Sequence, residues 1–139
     1  MKREQKYPDT TTFHFYNANP KNRTTGDCVV RAVSEATGKS WDETYDALCE
    51  IGRKLKVMPN NKKAYGKFLE AIGWAKQKQP KKGDGTKYTG EEFCQILEEG
   101  HKPIVAHIGG HHVVCIKEGR VWDIWNSTGG CIGNWWQEP

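Results

Sequence analysis

Residues 110–126 read GHHVVCIKEGRVWDIWN, and this stretch decides how the second half of the chain folds. An apolar run at 112–117 and an alternating run at 120–125 flank Glu118-Gly119, a pair typical of a tight turn. Runs of this kind predict two antiparallel strands joined as a hairpin. Two further strands are predicted nearby, at 103–108 and at 131–136.

The chain before this hairpin has the apolar period of helices. Apolar residues recur every three or four positions from Cys28 to Gly38, and again from Ser40 to Pro59. Two further helices are predicted, from about Asn61 to Ile72 and after Thr89. Because helices come first and strands last, we predict an α+β fold, with an N-terminal helical half packed on a small C-terminal antiparallel sheet.

The composition is that of one globular domain, residues 1–139. Hydrophobic residues make up 36% and aromatic residues 11% of the chain, so global disorder is excluded. Residues 1–25 show little periodicity, and residues 1–16 are expected to be flexible. No apolar run reaches the ~18 residues of a membrane helix, and no signal peptide is visible. We therefore expect a cytoplasmic protein without a membrane partner.

The charge of the chain is mildly basic, with 21 Lys and Arg against 17 Asp and Glu, a formal net charge of +4. Most basic residues are interleaved with acidic ones, whereas nucleic-acid binders concentrate them on a face or a run. The densest basic stretch, at 74–87, is interpreted as a solvated loop. We therefore do not expect nucleic acid as a partner.

Cys28 is the candidate nucleophile. It follows a glycine-containing loop and begins a predicted helix, where free N–H groups and the helix dipole favour a thiolate. Two considerations oppose this interpretation: Cys28 could simply fill the first core position of the helix, and Asp27 disfavours a neighbouring anion. The other cysteines show no CxxC pairing, and an odd total of five predicts free thiols. They are Cys49, Cys94, Cys115 and Cys131.

His112 is the candidate general base, because it opens a strand directly after the residues Gly109–His111. The returning strand brings Asp123 and Asn126 near it, and either side chain could orient an imidazole. A two-residue turn would place Asp123 on the face of His112, whereas a turn one residue longer or shorter would place Asn126 there. The sequence leaves this register open, and a simple His–Asp pair at a sheet edge is the alternative.

Two segments together resemble papain-like cysteine peptidases: TGDCVVRAVSEATGKSWDETYDAL at 25–48 and GHHVVCIKEGRVWDIWN at 110–126. VMPNNKKAYGKFLEAIGW at 57–74 and TGEEFCQIL at 89–97 match more loosely. The chain is most similar to the small single-domain members of phages and bacteria, in plan like bacteriocin-leader peptidases. The resemblance implies a papain-like fold, a protein or peptide substrate, the cytoplasm of a bacterium or phage host, and no cofactor or metal.

The resemblance also implies roles for individual residues. Cys28 matches the nucleophile and His112 the general base. Asn126 matches the orienting residue through its Asn-Ser context, and we prefer it to Asp123. The family's oxyanion side chain lies six residues before the nucleophile, which is Asn22 here. The usual residue there is Gln, and Asn19 is the fallback.

The expected function is a cysteine-dependent hydrolase that cleaves a peptide, isopeptide or amide bond through a Cys-His-Asn or Cys-His-Asp site. An acyl or amide transferase on the same scaffold is one alternative. A catalytically degenerate binding module for protein or single-stranded nucleic acid is the other, suggested by the basic loop and the tryptophans. A zinc site is disfavoured because the histidines lack the usual ligand spacings.

Overall fold

A six-stranded mixed β-sheet forms the centre of the structure, a computed structural model that describes all residues, 1–139. The helices are α1 (Arg3–Lys6), α2 (Cys28–Thr37), α3 (Trp41–Leu55), α4 (Lys62–Ala71) and α5 (Gly90–Ile96). The strands are β1 (Phe13–Phe15), β2 (Ala75–Gln77), β3 (Ile104–Ile108), β4 (His112–Lys117), β5 (Arg120–Asp123) and β6 (Ile132–Gln137). The predicted α+β class is confirmed. None of the helices combines the length and apolar content needed to span a membrane.

The β4–β5 hairpin has a two-residue turn, because Lys117 pairs with Arg120. Glu118 and Gly119 both have positive φ, 56° and 72°, as the favoured hairpin turn requires. The ladder extends only as far as the pair Cys115–Trp122. His112 and Asp123 therefore lie beyond its end, and the register brings Asp123 rather than Asn126 toward His112.

The sheet is larger than the small antiparallel sheet that the sequence predicts, and its strand order is β1-β5-β4-β3-β6-β2. Strand β1 pairs parallel with β5, and β2 pairs antiparallel with β6. β1 belongs to the segment expected to be flexible, yet Phe13 is fully buried. A three-residue strand is too short to show a period in sequence, which explains why it was not predicted.

Helices cover both faces of the sheet and create two cores. On one face, α2, α3 and α4 pack against inward side chains such as Val113 and Cys115. On the other face, α5 packs against the alternate side chains of the strands, including Val114 and Ile116. The alternation of side chains along β4 explains how one strand serves both cores. The predicted helical half therefore divides, with α5 alone on the second face.

The ends of α2 are fixed by local chemistry. Gly38 ends the helix in the left-handed conformation, with φ 75°. Asp27 occupies the N-cap position but does not cap the helix through its side chain. Its carboxylate bonds instead to Arg31 and Trp41. A good N-cap contributes about 1 kcal/mol, so the use of Asp27 elsewhere indicates a different role for it.

Candidate active site

Cys28 is half-buried at the first position of α2, and α2 packs on β4. Burial alone raises the pKa of its thiol. That effect is outweighed by a hydrogen bond with His112, by the backbone N–H of Val113, and by the positive charges of His112 and Arg31, so the pKa is lowered. By contrast, burial raises the pKa of Cys94 to about 12 and also raises that of Cys115. Cys28 is therefore the cysteine whose surroundings favour the thiolate.

His112 lies between Cys28 and Asp123, with only 16% of its side chain exposed. Its Nε2–H donates to Asp123 Oδ2, which leaves Nδ1 as the ring nitrogen available to the thiol. Burial lowers the pKa of His112, but the hydrogen bonds and charges of Asp123 and Cys28 prevail and raise it to about 9. The pKa of Cys28 is lowered and that of His112 is raised, and both shifts are in the direction that favours a thiolate–imidazolium pair.

Asp123 is held in place by three donors. Its Oδ1 accepts from Arg31 Nη1 and from the backbone N–H of Ile124, both at 2.7 Å, while Oδ2 faces His112. Arg31 in turn donates from Nε to Asp27 Oδ1 at 2.9 Å. Asp123, Arg31 and Asp27 are all buried, with relative exposures of 2%, 6% and 8%. The orientation of His112 is thus fixed by a series of buried hydrogen bonds that runs from Asp123 to Arg31 of α2 and on to Asp27.

This series of hydrogen bonds ends at Asp27, whose Oδ2 accepts from Asn19 Nδ2 and Trp41 Nε1, both at 3.0 Å. We call the side chains of Asn19, Asp27, Arg31, Trp41 and Asp123 the buried network. Its two carboxylates face two cations, Arg31 and protonated His112, so the buried charges compensate each other. Compensation of this kind is the condition for keeping charges out of water at tolerable cost.

Asn126, the preferred orienting residue in the sequence, makes no hydrogen bond with His112. Its Oδ1 accepts from the backbone N–H of Thr128 at 3.0 Å and from the Thr128 hydroxyl at 2.6 Å. The side chain therefore closes a local turn after β5. The physical reason is the register: the two-residue hairpin turn brings Asp123 to His112, so the geometry differs from our preference for Asn126.

The predicted oxyanion side chains are also used elsewhere. Asn22 is exposed with φ 53°, and its Oδ1 accepts from Asn17 Nδ2 at 3.2 Å. The amide of Asn19 is buried and donates to Asp27. No hydrogen bond joins either amide to Cys28. The backbone N–H of Cys28 itself, at the first position of α2, makes no hydrogen bond to the preceding loop and is free to donate.

A cleft of about 310 Å³ opens beside Cys28, and we call it the thiol cleft. Its polar lining consists of Cys28, Asn60, Lys62, Tyr65, His107 and His111. Burial and the charge of Cys28 raise the pKa of Tyr65 to about 12. No protein group bonds the Tyr65 hydroxyl, and Ser127 Oγ is the one enclosed side-chain N or O atom without a partner. The Tyr65 hydroxyl therefore reaches the cleft.

A second cavity, of about 560 Å³, lies on the other side of His112 and is lined by residues 108–112 and 125–127, among others. The ring centroid of Trp125 is 4.9 Å from that of His112. His111 lines both cavities but is itself exposed. Cys28 thus lines the first cavity, His112 lines the second, and His111 is the residue that the two cavities share.

Several residues of this region were missed by sequence reasoning. For Arg31 a signal existed, because it interrupts the apolar run Val29–Val33, and Asp27 lies four residues before it. A charge on the buried side of a helix demands a partner. Tyr65, Lys62 and His107 carried no such signal, since their proximity to Cys28 depends on how α4 and β3 pack around α2.

Comparisons of the chain with models of protein families, with curated proteins and with solved structures gave no match. No three His, Cys, Asp or Glu side chains converge in an arrangement that could hold a metal ion. The functional argument therefore rests on the geometry of the residues around Cys28.

Proposed function

We propose that the protein is a cysteine-dependent hydrolase of papain-like plan, a peptidase that cleaves a peptide, isopeptide or amide bond. One observation carries the proposal: Cys28 at the start of α2 faces His112, whose other side is held by the buried Asp123. This order of nucleophile, base and orienting carboxylate is that of a catalytic triad. The His112–Asp123 hydrogen bond beside a cysteine of lowered pKa argues against a degenerate binding module.

The chemistry follows from the two shifted pKa values. The Cys28 thiolate attacks the acyl carbon and forms a C–S bond, and the electron pair of the carbonyl moves to its oxygen. The backbone N–H of Cys28 donates to that oxyanion. Protonated His112 gives its proton to the leaving amine as the C–N bond breaks. Neutral His112 then takes a proton from water, whose oxygen adds to the thioester carbon. The C–S bond breaks, the acyl group leaves as the carboxylic acid, and the Cys28 thiolate is regenerated.

An acyl transferase on this scaffold would use the same residues and differ only in the acceptor. For the hydrolase we place the substrate, a protein or peptide, in the thiol cleft, and the protein in the cytoplasm of a bacterium or phage host. The open cleft beside the nucleophile supports a polymeric substrate that threads across Cys28 rather than a fully enclosed small molecule.

The test is selective labelling at pH 6 with iodoacetamide and with a peptidyl acyloxymethyl ketone, read by mass spectrometry. An ordinary thiol with a pKa near 8.5 is only about 0.3% thiolate at this pH, so Cys28 is expected to react about 100-fold faster than the other cysteines. Cys28→Ala should abolish the fast labelling and keep the fold. Cys49→Ala and Cys131→Ala, the other two cysteines that are not buried, are the matched controls. Fast labelling that persists in Cys28→Ala would refute the assignment.

A further inference from the structure

Basic side chains line the thiol cleft. Lys62, His107 and His111 line it together with Cys28, and no aspartate or glutamate does. Lys62 is the first residue of α4 and is exposed, so its ammonium group lies at the mouth of the cleft rather than in the core. A site with basic groups and no carboxylate attracts an anion.

The charge of Lys62 is not neutralised by the protein. Its Nζ donates to Asn134 Oδ1 at 3.2 Å, which is a neutral acceptor. The lysines with a carboxylate partner lie elsewhere, in the pairs Lys54–Glu50, Lys82–Glu92 and Lys117–Glu35. The charge of Lys62 also acts on a neighbouring side chain of the cleft. Burial lowers the pKa of His107, and the charges of Lys62 and His111 lower it further.

The positive surface continues away from Cys28. A neighbouring groove shares Lys62 and is also lined by Lys63, Lys67 and Lys76, with Glu70 as its one acidic residue. None of these lysines forms an ion pair with a carboxylate within the protein. A chain that leaves the thiol cleft along this groove therefore meets four unpaired ammonium groups.

We propose that the thiol cleft selects acidic peptides, with a carboxylate next to the reacting acyl group received by Lys62, and this specificity rests on the hydrolase function proposed above. An acidic peptide fits better than a nucleic acid. Single-stranded nucleic acids are held by exposed aromatic faces on which bases stack. The one aromatic side chain of the cleft is Tyr65, which is 97% buried and offers no such face.

Two reagents that differ only in charge test the proposal without a known substrate. Iodoacetate and iodoacetamide both transfer their CH2 carbon to the Cys28 thiolate and release iodide, but only iodoacetate is an anion. We expect the ratio of the iodoacetate to the iodoacetamide rate constant to fall about five-fold in Lys62→Gln and further in Lys62→Glu. The ratio of the unchanged protein should also fall in 1 M salt, where charges are screened beyond about 3 Å.

Lys39→Gln is the matched control, because it removes the same charge at the far end of α2, about 15 Å along the helix from Cys28. Its ratio should equal that of the unchanged protein. A Lys62→Gln ratio equal to that of Lys39→Gln would overturn the proposal while leaving Cys28 a reactive nucleophile. Slow alkylation of Cys28 by both reagents at pH 6 would instead contradict the hydrolase function itself.

Protection experiments decide between the two classes of polymer. Alkylation by neutral iodoacetamide is measured with a decapeptide of alternating Glu and Gly, with its Gln and Gly counterpart, and with an oligothymidylate of matched charge. Protection by the Glu peptide alone supports the proposal. Equal protection by the Gln peptide, or stronger protection by the oligonucleotide, would overturn it, and the latter result would point to a nucleic-acid site.

Discussion

The two sides of the Cys28–His112 pair differ in how their charges are balanced. On the buried side, Asp123, Arg31 and Asp27 are paired with one another and with His112. On the open side, in the thiol cleft, Lys62 and His111 have no carboxylate partner. The buried side is complete without a ligand, whereas the open side has no carboxylate to pair with Lys62.

This difference separates two tasks. A buried and fully paired network cannot rearrange cheaply, since breaking one buried ion pair costs about 3–5 kcal/mol. It is suited to hold His112 in one orientation and to set its pKa. Exposed, unpaired ammonium groups cost little in the absence of ligand and are available for binding. Variants on the buried side should therefore change pH profiles, and variants on the open side should change selectivity.

The largest effect is expected for His112→Gln. Loss of the imidazolium removes the main group that lowers the pKa of the Cys28 thiol, so burial again dominates. Alkylation by iodoacetamide at pH 6 should slow about 100-fold or more, as expected for a thiol of ordinary pKa. His111→Gln is the control, and we expect a change of less than about three-fold because His111 is exposed and not bonded to Asp123. A larger loss of alkylation rate in His111→Gln than in His112→Gln would assign the role of general base to His111.

Asp123→Asn is expected to have the next largest effect. His112 owes its raised pKa, about 9, first to the hydrogen bond with Asp123, so the pKa should fall. The alkaline limb of the pH profile of the proposed hydrolysis should then shift to lower pH. Asn126→Ala removes only a local turn bond, worth about 1 kcal/mol, and should leave the profile in place. A shifted limb in Asn126→Ala alone would return the orienting role to Asn126.

The His112–Asp123 pair should also make the stability of the protein depend on pH. A group whose pKa is raised by folding contributes stability below its unfolded pKa, and this contribution is lost as the pH rises through the folded value. In the Cys28→Ala background, which isolates the Asp123 contribution, the free energy of unfolding should fall by about 1–3 kcal/mol between pH 6.5 and 9. Urea titrations of this background with and without His112→Gln measure that slope, and equal slopes would contradict the assignment.

Much of this arrangement is visible in the sequence. The period and caps predict α2 to α5 to within a few residues, and the hairpin sequence predicts β4 and β5. The choice between Asp123 and Asn126 could not be made, because it depends on a turn one residue longer or shorter. Glu118 adopts positive φ without being glycine, so the two-residue turn carries a weaker sequence signal than Asn-Gly would.

The long-range partners within the buried network could not be predicted from the sequence for a different reason. Arg31 and Asp123 are 92 residues apart, and only the packing of α2 on the sheet brings them together. Asp27 was considered an obstacle to a Cys28 thiolate. In the structure its carboxylate accepts hydrogen bonds from Arg31, Asn19 and Trp41. The positive charge of Arg31 compensates that of Asp27, which reduces its effect on the thiol of Cys28. A neighbouring charge can be judged only with its partners known.

Arg31→Met should move the whole pH profile of hydrolysis upward by a modest amount. The positive charge of Arg31 helps to lower the pKa of Cys28, so its loss raises the acid limb. Its loss also leaves Asp123 uncompensated beside His112, which raises the alkaline limb. Asp27→Asn should shift the alkaline limb the other way, because Arg31 then compensates Asp123 alone. Arg31→Lys should restore the position of the limbs in part, whereas a purely structural role would lower activity without moving them.

The smallest effect is expected for Asn22→Gly, and it locates the oxyanion donors. Asn22 is exposed, bonds to Asn17 and adopts φ 53°, a conformation that glycine takes without strain. The rate of p-nitrophenolate release on acylation of Cys28 by p-nitrophenyl acetate should therefore change less than about two-fold. Removal of a true oxyanion donor costs about 10²–10³ in rate. A loss of that size in Asn22→Gly would show that the loop before α2 rearranges to bring the Asn22 amide to the thiol. An unchanged rate would leave the backbone N–H of Cys28, with the polar side chains that line the thiol cleft, as the candidate oxyanion donors.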